Sequence, residues 1–230
     1  MLTSIICSLV KITSASLIRF PAINLVVGLL SGLLTAAASR LIGPLNPFLG
    51  IIFGAAITLI ICVRYSQLTV PITVATLSSS VAAYLAAVWG SVWTVGALTS
   101  AIHLEDVRPA GPWTFSFAGF LGALIITLTL LLLLSPTRGW RVFGKAIAWA
   151  VAGGWLGLIS SVMSETIGSA VGSILGYSEP GWGKPYAKPF YSAYLVWQTG
   201  MAFLIPLILP QGLPTHTEKS VSIESRSAQI

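Results

Sequence analysis

The chain has 230 residues, of which 55% are hydrophobic and only 8% are charged, and its mean hydropathy is +0.90. A soluble domain carries about a quarter charged residues, so this composition excludes a water-soluble globular protein. The net charge of +6 does not indicate nucleic-acid binding, because the basic residues stand singly at the ends of apolar runs rather than on one face.

Both ends of the chain are predicted to lie outside the membrane. In residues 1–18, apolar side chains recur at helical spacing opposite Lys11. This pattern is typical of an amphipathic helix in the membrane interface, and a disordered N-terminus is the alternative. Residues 211–230 are polar and rich in Ser and Thr, which predicts a disordered cytoplasmic tail.

The apolar runs between these ends predict an all-α bundle of about six transmembrane helices, because about 20 apolar residues cross the hydrocarbon core of a bilayer. The bundle forms one transmembrane domain, residues 19–210, and leaves no room for a folded soluble domain. The predicted spans, in chain order, are residues 20–39, 48–63, 68–102, 113–134, 142–177 and 190–209.

Two of these runs are too long for one simple span and too short for two spans with a turn. For residues 68–102, the length of the apolar run predicts a helix that overshoots the bilayer, tilts, or bends near Pro71 or Gly90. Residues 142–177 raise the same question. The sequence leaves open whether each run is one long helix or a broken one.

The distribution of Lys and Arg predicts the orientation of the bundle. With the N-terminus in the cytoplasm, eight basic residues lie on the inner side: Lys11, Arg19, Arg64, Arg138, Arg141, Lys145, Lys219 and Arg226. Four lie on the outer side: Arg40, Arg108, Lys184 and Lys188. The positive-inside rule therefore predicts that both termini are cytoplasmic.

A weak internal repeat accompanies the spans that run from the outer to the inner side. Each begins with proline and an aromatic residue: Pro47-Phe48, Pro112-Trp113 and Pro189-Phe190. One interpretation is three tandem hairpins, since many transporters contain internal repeats. The alternative is that the pattern reflects the residue preferences of membrane helices in general.

Small residues recur at steps of four, which places them along one face of a helix. The fifth span carries the row Ser160, Ser164, Gly168, Gly172 and Gly176, with Gly153 and Gly157 as a similar pair one face over, and the first two spans carry Gly28 with Gly32 and Gly50 with Gly54. Such faces let a second helix approach closely, within the monomer, between copies, or with partner membrane helices. We favour packing over a pore lining for these residues.

A few polar residues inside the spans are candidates for a ligand site or a solute pathway. Gln198 is the most central, and Asn24 lies near the inner end of the first span. Glu165 is a functional candidate if it lies at membrane depth, although its distance along the fifth span favours the headgroup region. The hydroxyl-rich stretch from Thr73 to Ser80 either faces water or bonds to its own backbone.

The loop before the fourth span adds His103, Glu105 and Asp106 on the predicted outer side. Together with Glu165, these residues would raise the local concentration of cations at a pore mouth, or they are ordinary solvated charges. One histidine with two carboxylates is too little for a metal site. We predict no metal and no cofactor, and no enzyme motif is present in the sequence.

Two functions follow from these features. The first is passage of a small solute or ion across a membrane, through a site between helices near Gln198 and the glycine-rich face. The second is a non-transport role as an assembly or scaffolding subunit whose glycine-rich faces bind other membrane helices. Apart from those helices or a second copy, the predicted partner is the lipid bilayer.

Overall fold

The computed structural model describes residues 19–65, 69–102, 111–134, 139–176 and 184–208, and the regular elements within them are all helical. The helices are α1 (Arg19–Ile42), α2 (Phe48–Tyr65), α3 (Val70–Ile102), α4 (Gly111–Leu134), α5 (Trp140–Val162), α6 (Ser169–Ile174) and α7 (Lys184–Ile208). A π-helical turn, Ser164–Gly168, joins α5 to α6. The predicted all-α fold is confirmed, whereas the predictions for residues 1–18 and 211–230 lie outside the described residues.

Five of the described helices are long and apolar enough to cross a membrane. Their apolar stretches are Pro21–Ile42, Val70–Ala97, Gly111–Leu134, Trp140–Val162 and Lys188–Ile208. The other predicted span is a shorter apolar helix, Phe48–Val63 within α2. The 18 residues of α2 extend about 27 Å, close to the ~30 Å thickness of the hydrocarbon core. The chain therefore has the helices of a multi-pass membrane protein.

The distribution of side chains agrees with a lipid environment. Leu30, Leu132 and Trp155 lie on outward faces and are 59%, 61% and 62% exposed. Polar side chains are instead buried between the helices: Asn24, Ser31, Thr35, Ser39, Thr76, Ser79, Ser80, Thr114, Thr127, Ser160, Ser192 and Gln198. Lipid tails cannot hydrogen-bond to polar groups, so an apolar exterior with polar groups inside is expected.

The two long apolar runs have different structures. The first forms α3, one continuous helix of 33 residues that is about 50 Å long and so exceeds the ~30 Å hydrocarbon core. The second is broken, because α5 ends at Val162 and the π turn follows. A π turn contains wider i→i+5 hydrogen bonds, which turns the side chains that follow it to a new direction around the helix axis.

The six long helices pack in a ring that follows the order of the chain, and α7 closes the ring by packing against α1. The helix α4 lies between α3 and α5, and α2 packs against α3. Because α7 also contacts α2 and α4, it is the most central helix of the bundle. The three-hairpin repeat stays a prediction, and α1 packs more extensively against α7 than against its neighbour in sequence, α2.

The glycine pairs of the first two spans lie where helix backbones touch. A Cβ atom on Gly28 would stand 2.7 Å from the Cα atom of Thr199 in α7, and one on Gly50 would stand 2.8 Å from a Cα atom of α3. Gly32 and Gly54 extend these contacts by one helical turn. No side chain fits at such distances, so these positions fix how closely α1 approaches α7 and α2 approaches α3.

The small residues of α5 make a similar contact with α4. Gly153 and Gly157 are buried, and a Cβ atom on Gly157 would collide with the carbonyl oxygen of Phe115 in α4. Ser160 is fully buried beside them, and its carbonyl oxygen accepts a 2.6 Å hydrogen bond from the hydroxyl of Ser192 in α7. This end of α5 therefore touches α4 and α7 at once.

Beyond Ser160 the small residues no longer share one neighbour. Ser164 begins the π turn, and Gly168 at its end is buried against the backbone of Lys188 in α7. Gly172 in α6 is also buried. Gly176 is exposed and ends the segment in a left-handed conformation, with φ +76°.

An apolar core fills the half of the bundle that lies away from the turn between α1 and α2. We call the end of the bundle that holds this turn the Pro44 end, after a residue in the turn. The core residues come mainly from the later halves of α2, α4 and α7: Ile57, Ile61, Ile126, Leu130, Met201 and Ile205. They are at most 1% exposed, so this half of the bundle is closely packed.

The contact between α4 and α5 gives a direct test of the packing. We expect Gly157→Ala to lower the free energy of unfolding by about 1–3 kcal/mol, because the added methyl group forces the two backbones apart. Thermal unfolding of the protein in detergent measures this loss. Gly144→Ala in the same helix is the matched control, because nothing lies within 4 Å of a Cβ atom there. Equal stability of the two variants would contradict the close contact.

Candidate functional site

A cavity of about 90 Å³ lies inside the bundle between α2, α3, α4, α5 and α7. Its wall is mostly apolar and aromatic, and the described residues that line it include no charged side chain. The helix α7 lines one side with Phe190, Ala193, Tyr194, Trp197 and Gln198, and α3 lines another with Ser80, Ala83, Tyr84, Ala87, Val88 and Ser91. The cavity thus occupies the half of the bundle nearer the Pro44 end.

The apolar core closes the cavity toward the opposite end of the bundle. Phe53, Ala83 and Ile126 line the cavity and also belong to that core. The ring of Phe53 packs against the indole of Trp197, with ring centroids 5.3 Å apart. In this conformation the cavity is therefore a chamber on one side of the bundle rather than a continuous pore.

Gln198, the central candidate from the sequence, lies at the cavity wall but directs its amide toward α1. Its Oε1 atom accepts hydrogen bonds from the hydroxyls of Ser31, at 2.8 Å, and Thr35, at 3.3 Å. Its Nε2 atom lies 3.2 Å from the same Thr35 hydroxyl and can donate to it. Gln198 is 3% exposed, so this is a buried polar contact that joins α7 to α1.

The hydroxyl-rich stretch of α3 bonds largely to its own helix. Thr76 donates to the carbonyl of Ile72 at 2.8 Å, and Ser79 donates to the carbonyl of Thr76 at 3.0 Å. Ser80 differs, because its hydroxyl oxygen is buried and has no hydrogen-bond partner among the described residues. Ser80 is 1% exposed and lines the cavity.

Trp197 lines the cavity and has a second unpartnered polar atom, which lies against Gly119 of α4. Its indole Nε1 atom is buried and makes no hydrogen bond within the described part of the chain. Of the side chains described, Thr58 and Thr199 also have such an atom, but neither lines the cavity. Trp197 is not among the candidates from the sequence, where it is one more aromatic side chain within the apolar sixth span.

Two tyrosines tie the cavity wall to the turn between α1 and α2. The hydroxyls of Tyr84 and Tyr194 lie 3.1 Å apart, and their rings stack with centroids 6.5 Å apart. Tyr84 donates a hydrogen bond to the carbonyl of Pro44, and Tyr194 donates to the same carbonyl at 3.3 Å. The pair therefore joins α3 and α7 to that turn, a link that the sequence pattern does not indicate.

Glu165 lies apart from the cavity, at the surface of the bundle. It belongs to the π turn, its side chain is 80% exposed, and its Oε2 atom pairs with Nζ of Lys188 at 2.9 Å. The Lys188 side chain is 42% exposed, so solvent or lipid headgroups screen this ion pair and its contribution to stability is small.

Four candidates remain: Asn24, His103, Glu105 and Asp106. Asn24 is buried in the first half of α1 and does not line the cavity. His103, Glu105 and Asp106 lie outside the described residues. Across the described ranges, no group of three or more His, Cys, Asp or Glu side chains is placed to hold a metal ion.

Comparison of the chain with protein-family models, curated proteins and solved structures finds no match.

The contact between Gln198 and α1 can be measured with a double-mutant cycle. We expect Gln198→Leu and Thr35→Val each to lower the free energy of unfolding, and the pair to show a coupling of about 0.6–1.7 kcal/mol, the range for polar contacts between membrane helices. Unfolding of the four proteins in detergent gives the coupling. A coupling of zero would mean that the two side chains do not interact.

Proposed function

We propose that this protein passes a small uncharged solute across a membrane and binds it in the cavity between α3 and α7. The observation that carries the proposal is the cavity itself, which is lined by residues of five helices and has a mostly apolar wall. Solute sites in transporters lie between helices, where buried polar groups take the place of water.

The chemistry of the wall favours an uncharged solute over an ion. The described lining residues carry hydroxyls, one amide and one indole N–H, but no carboxylate, ammonium or guanidinium group. An ion in such a chamber would lose its hydration without gaining a counter-charge, which is costly at membrane depth. The ion part of the sequence-based prediction is therefore not what we propose.

The closed core implies that passage needs a change in packing. The chamber lies toward the Pro44 end, and the core around Met201 and Ile205 blocks the other end. α7 lines the chamber, contributes to the core, and contains Pro189 and Pro206. Each proline removes a backbone hydrogen bond, so α7 is the helix in which a bend costs least.

The scaffolding alternative has less support. It requires glycine-rich faces on the outside of the bundle, where partner helices would bind. Gly28, Gly50, Gly153 and Gly157 instead face other helices of the same chain. The described small residues are mostly used for packing within the monomer, which leaves few of them for a partner.

A side chain that fills the chamber should stop passage. We expect Ala87→Phe to reduce the flux of acetamide and urea into reconstituted vesicles to the level of protein-free vesicles, because the phenyl ring takes the place of the solute. Ala82→Phe is the matched control, since Ala82 lies on the same helix and is exposed on its outer face. Stopped-flow light scattering measures both fluxes.

The melting temperatures of the two variants show whether they are folded. If a folded Ala87→Phe protein retains the flux of the wild type, the solute does not pass through this chamber. The scaffolding role replaces the proposed function if two results occur together. The wild type adds no flux to the vesicles for either solute, and both variants still retain an assembly partner.

A further inference from the structure

The chamber comes closest to its surroundings between α3 and α7, toward the Pro44 end. Both helices line the chamber, yet α3 packs against α2 and α4 and has at most marginal backbone contact with α7. Ala83, which belongs to the apolar core, is buried. The lining residues farther from that core on these two helices are instead partly exposed: Ala87, Val88 and Ser91 on α3, and Phe190 and Ala193 on α7.

The helix α2 does not cover this gap, because it begins too late in the chain. A Cβ atom on Gly50, close to the start of α2, would stand 2.8 Å from the Cα atom of Val81 and 3.0 Å from the Cβ atom of Tyr84. The helix α3 continues past this level to Ile102. Beyond Tyr84 the neighbour of α3 on this side is therefore the turn before α2, residues 43–47, and not a helix.

Two tyrosine side chains fill the gap between α3 and α7. Tyr84 and Tyr194 both line the chamber, and their rings stack with centroids 6.5 Å apart. Their hydroxyls reach the carbonyl of Pro44, which is exposed and does not line the chamber. On this side, a single layer of two side chains thus lies between the chamber and an exposed turn.

We propose that Tyr84 and Tyr194 form a gate that the Pro44 carbonyl holds closed. The inference rests on the proposed function, because it assigns control of access to the same chamber. A carbonyl oxygen has two lone pairs, so this one group accepts a hydrogen bond from each phenol. When the turn moves away, both rings lose their acceptor together and swing apart, which opens the chamber between α3 and α7.

The gate opens at a lower cost in free energy than the opposite end of the chamber. Opening at the core would separate Met201 and Ile205, which are both fully buried in close apolar packing. Opening at the tyrosines exchanges hydrogen bonds at an exposed carbonyl for hydrogen bonds to water or lipid headgroups, and such an exchange costs little. The two ends of the chamber therefore differ in kind, with a polar gate at one end and an apolar core at the other.

The gate can be tested by the rate at which a thiol inside the chamber reacts. Ala118→Cys on α4 places the thiol in the wall, where Ala118 is 9% exposed, in protein whose Cys7 and Cys62 are replaced by alanine. The reagent is methyl methanethiosulfonate, which is small and uncharged, and intact mass follows the reaction. We expect Tyr84→Phe and Tyr194→Phe each to raise the rate about fivefold, since each removes one hydrogen bond that holds the gate closed.

Two controls separate a gate from general loosening of the bundle. Tyr191→Phe removes the same hydroxyl group from a buried tyrosine of α7 that does not line the chamber, and it should leave the Ala118→Cys rate unchanged. Met201→Cys reports on the apolar core and should stay unmodified in all of these variants. Modification of Met201→Cys that rises in parallel with that of Ala118→Cys would mean that the whole bundle has loosened, and would overturn the gate.

The remaining outcomes separate the gate from the proposed function. Equal rates with and without the tyrosine hydroxyls, or no reaction at Ala118→Cys even when both tyrosines are phenylalanine, would overturn the gate. If Ala87→Phe still abolishes acetamide flux in that case, the proposed function stands without it. Faster reaction in the Tyr84→Phe and Tyr194→Phe variants, in a protein that adds no flux to vesicles, would support the gate and refute passage.

Discussion

The close approach of helix backbones is the constraint on which the rest of this structure depends. Between helices in lipid there is no hydrophobic driving force, so packing and interhelical hydrogen bonds hold the bundle together. Gly28, Gly50 and Gly157 each lie where a Cβ atom would overlap a neighbouring helix. Gly50 and Gly157 also line the cavity, so the contacts that hold α2 to α3 and α5 to α4 also form part of its wall.

The interior polar groups divide into two kinds, those with a hydrogen-bond partner and those without one. Most hydroxyls bond within the protein, as Thr76 does to its own helix and as Ser31 does to Gln198. These bonds hold the helices and leave little for a ligand. Ser80 and Trp197 are the exceptions along the cavity wall.

The sequence was sufficient for the fold class and for the residues at which helices touch, but not for the cavity. Low charge and long apolar runs predict a helical membrane bundle because few other structures satisfy the backbone in lipid. The four-residue spacing identified Gly28 and Gly157 as packing positions. It did not identify the helices that they contact, since spacing along one helix does not specify which other helix that face meets. Gln198 drew attention by its polarity, whereas Trp197, one position before it, is one more aromatic side chain in an apolar span. Only the tertiary structure separates the paired amide from the unpaired indole.

The central claim is that the bundle holds a chamber toward its Pro44 side and is closed on the other side by the apolar core. The most direct test places single cysteines, Ala193→Cys in the chamber wall and Met201→Cys in the core, in protein whose Cys7 and Cys62 are replaced by alanine. A small methylthiosulfonate reagent is then added from each side of sealed vesicles. The account predicts that Ala193→Cys reacts from the Pro44 side and is protected by acetamide, and that Met201→Cys, at 0% exposure, stays unmodified. Unprotected or absent reaction at Ala193→Cys, or equal reaction at both positions, would contradict it.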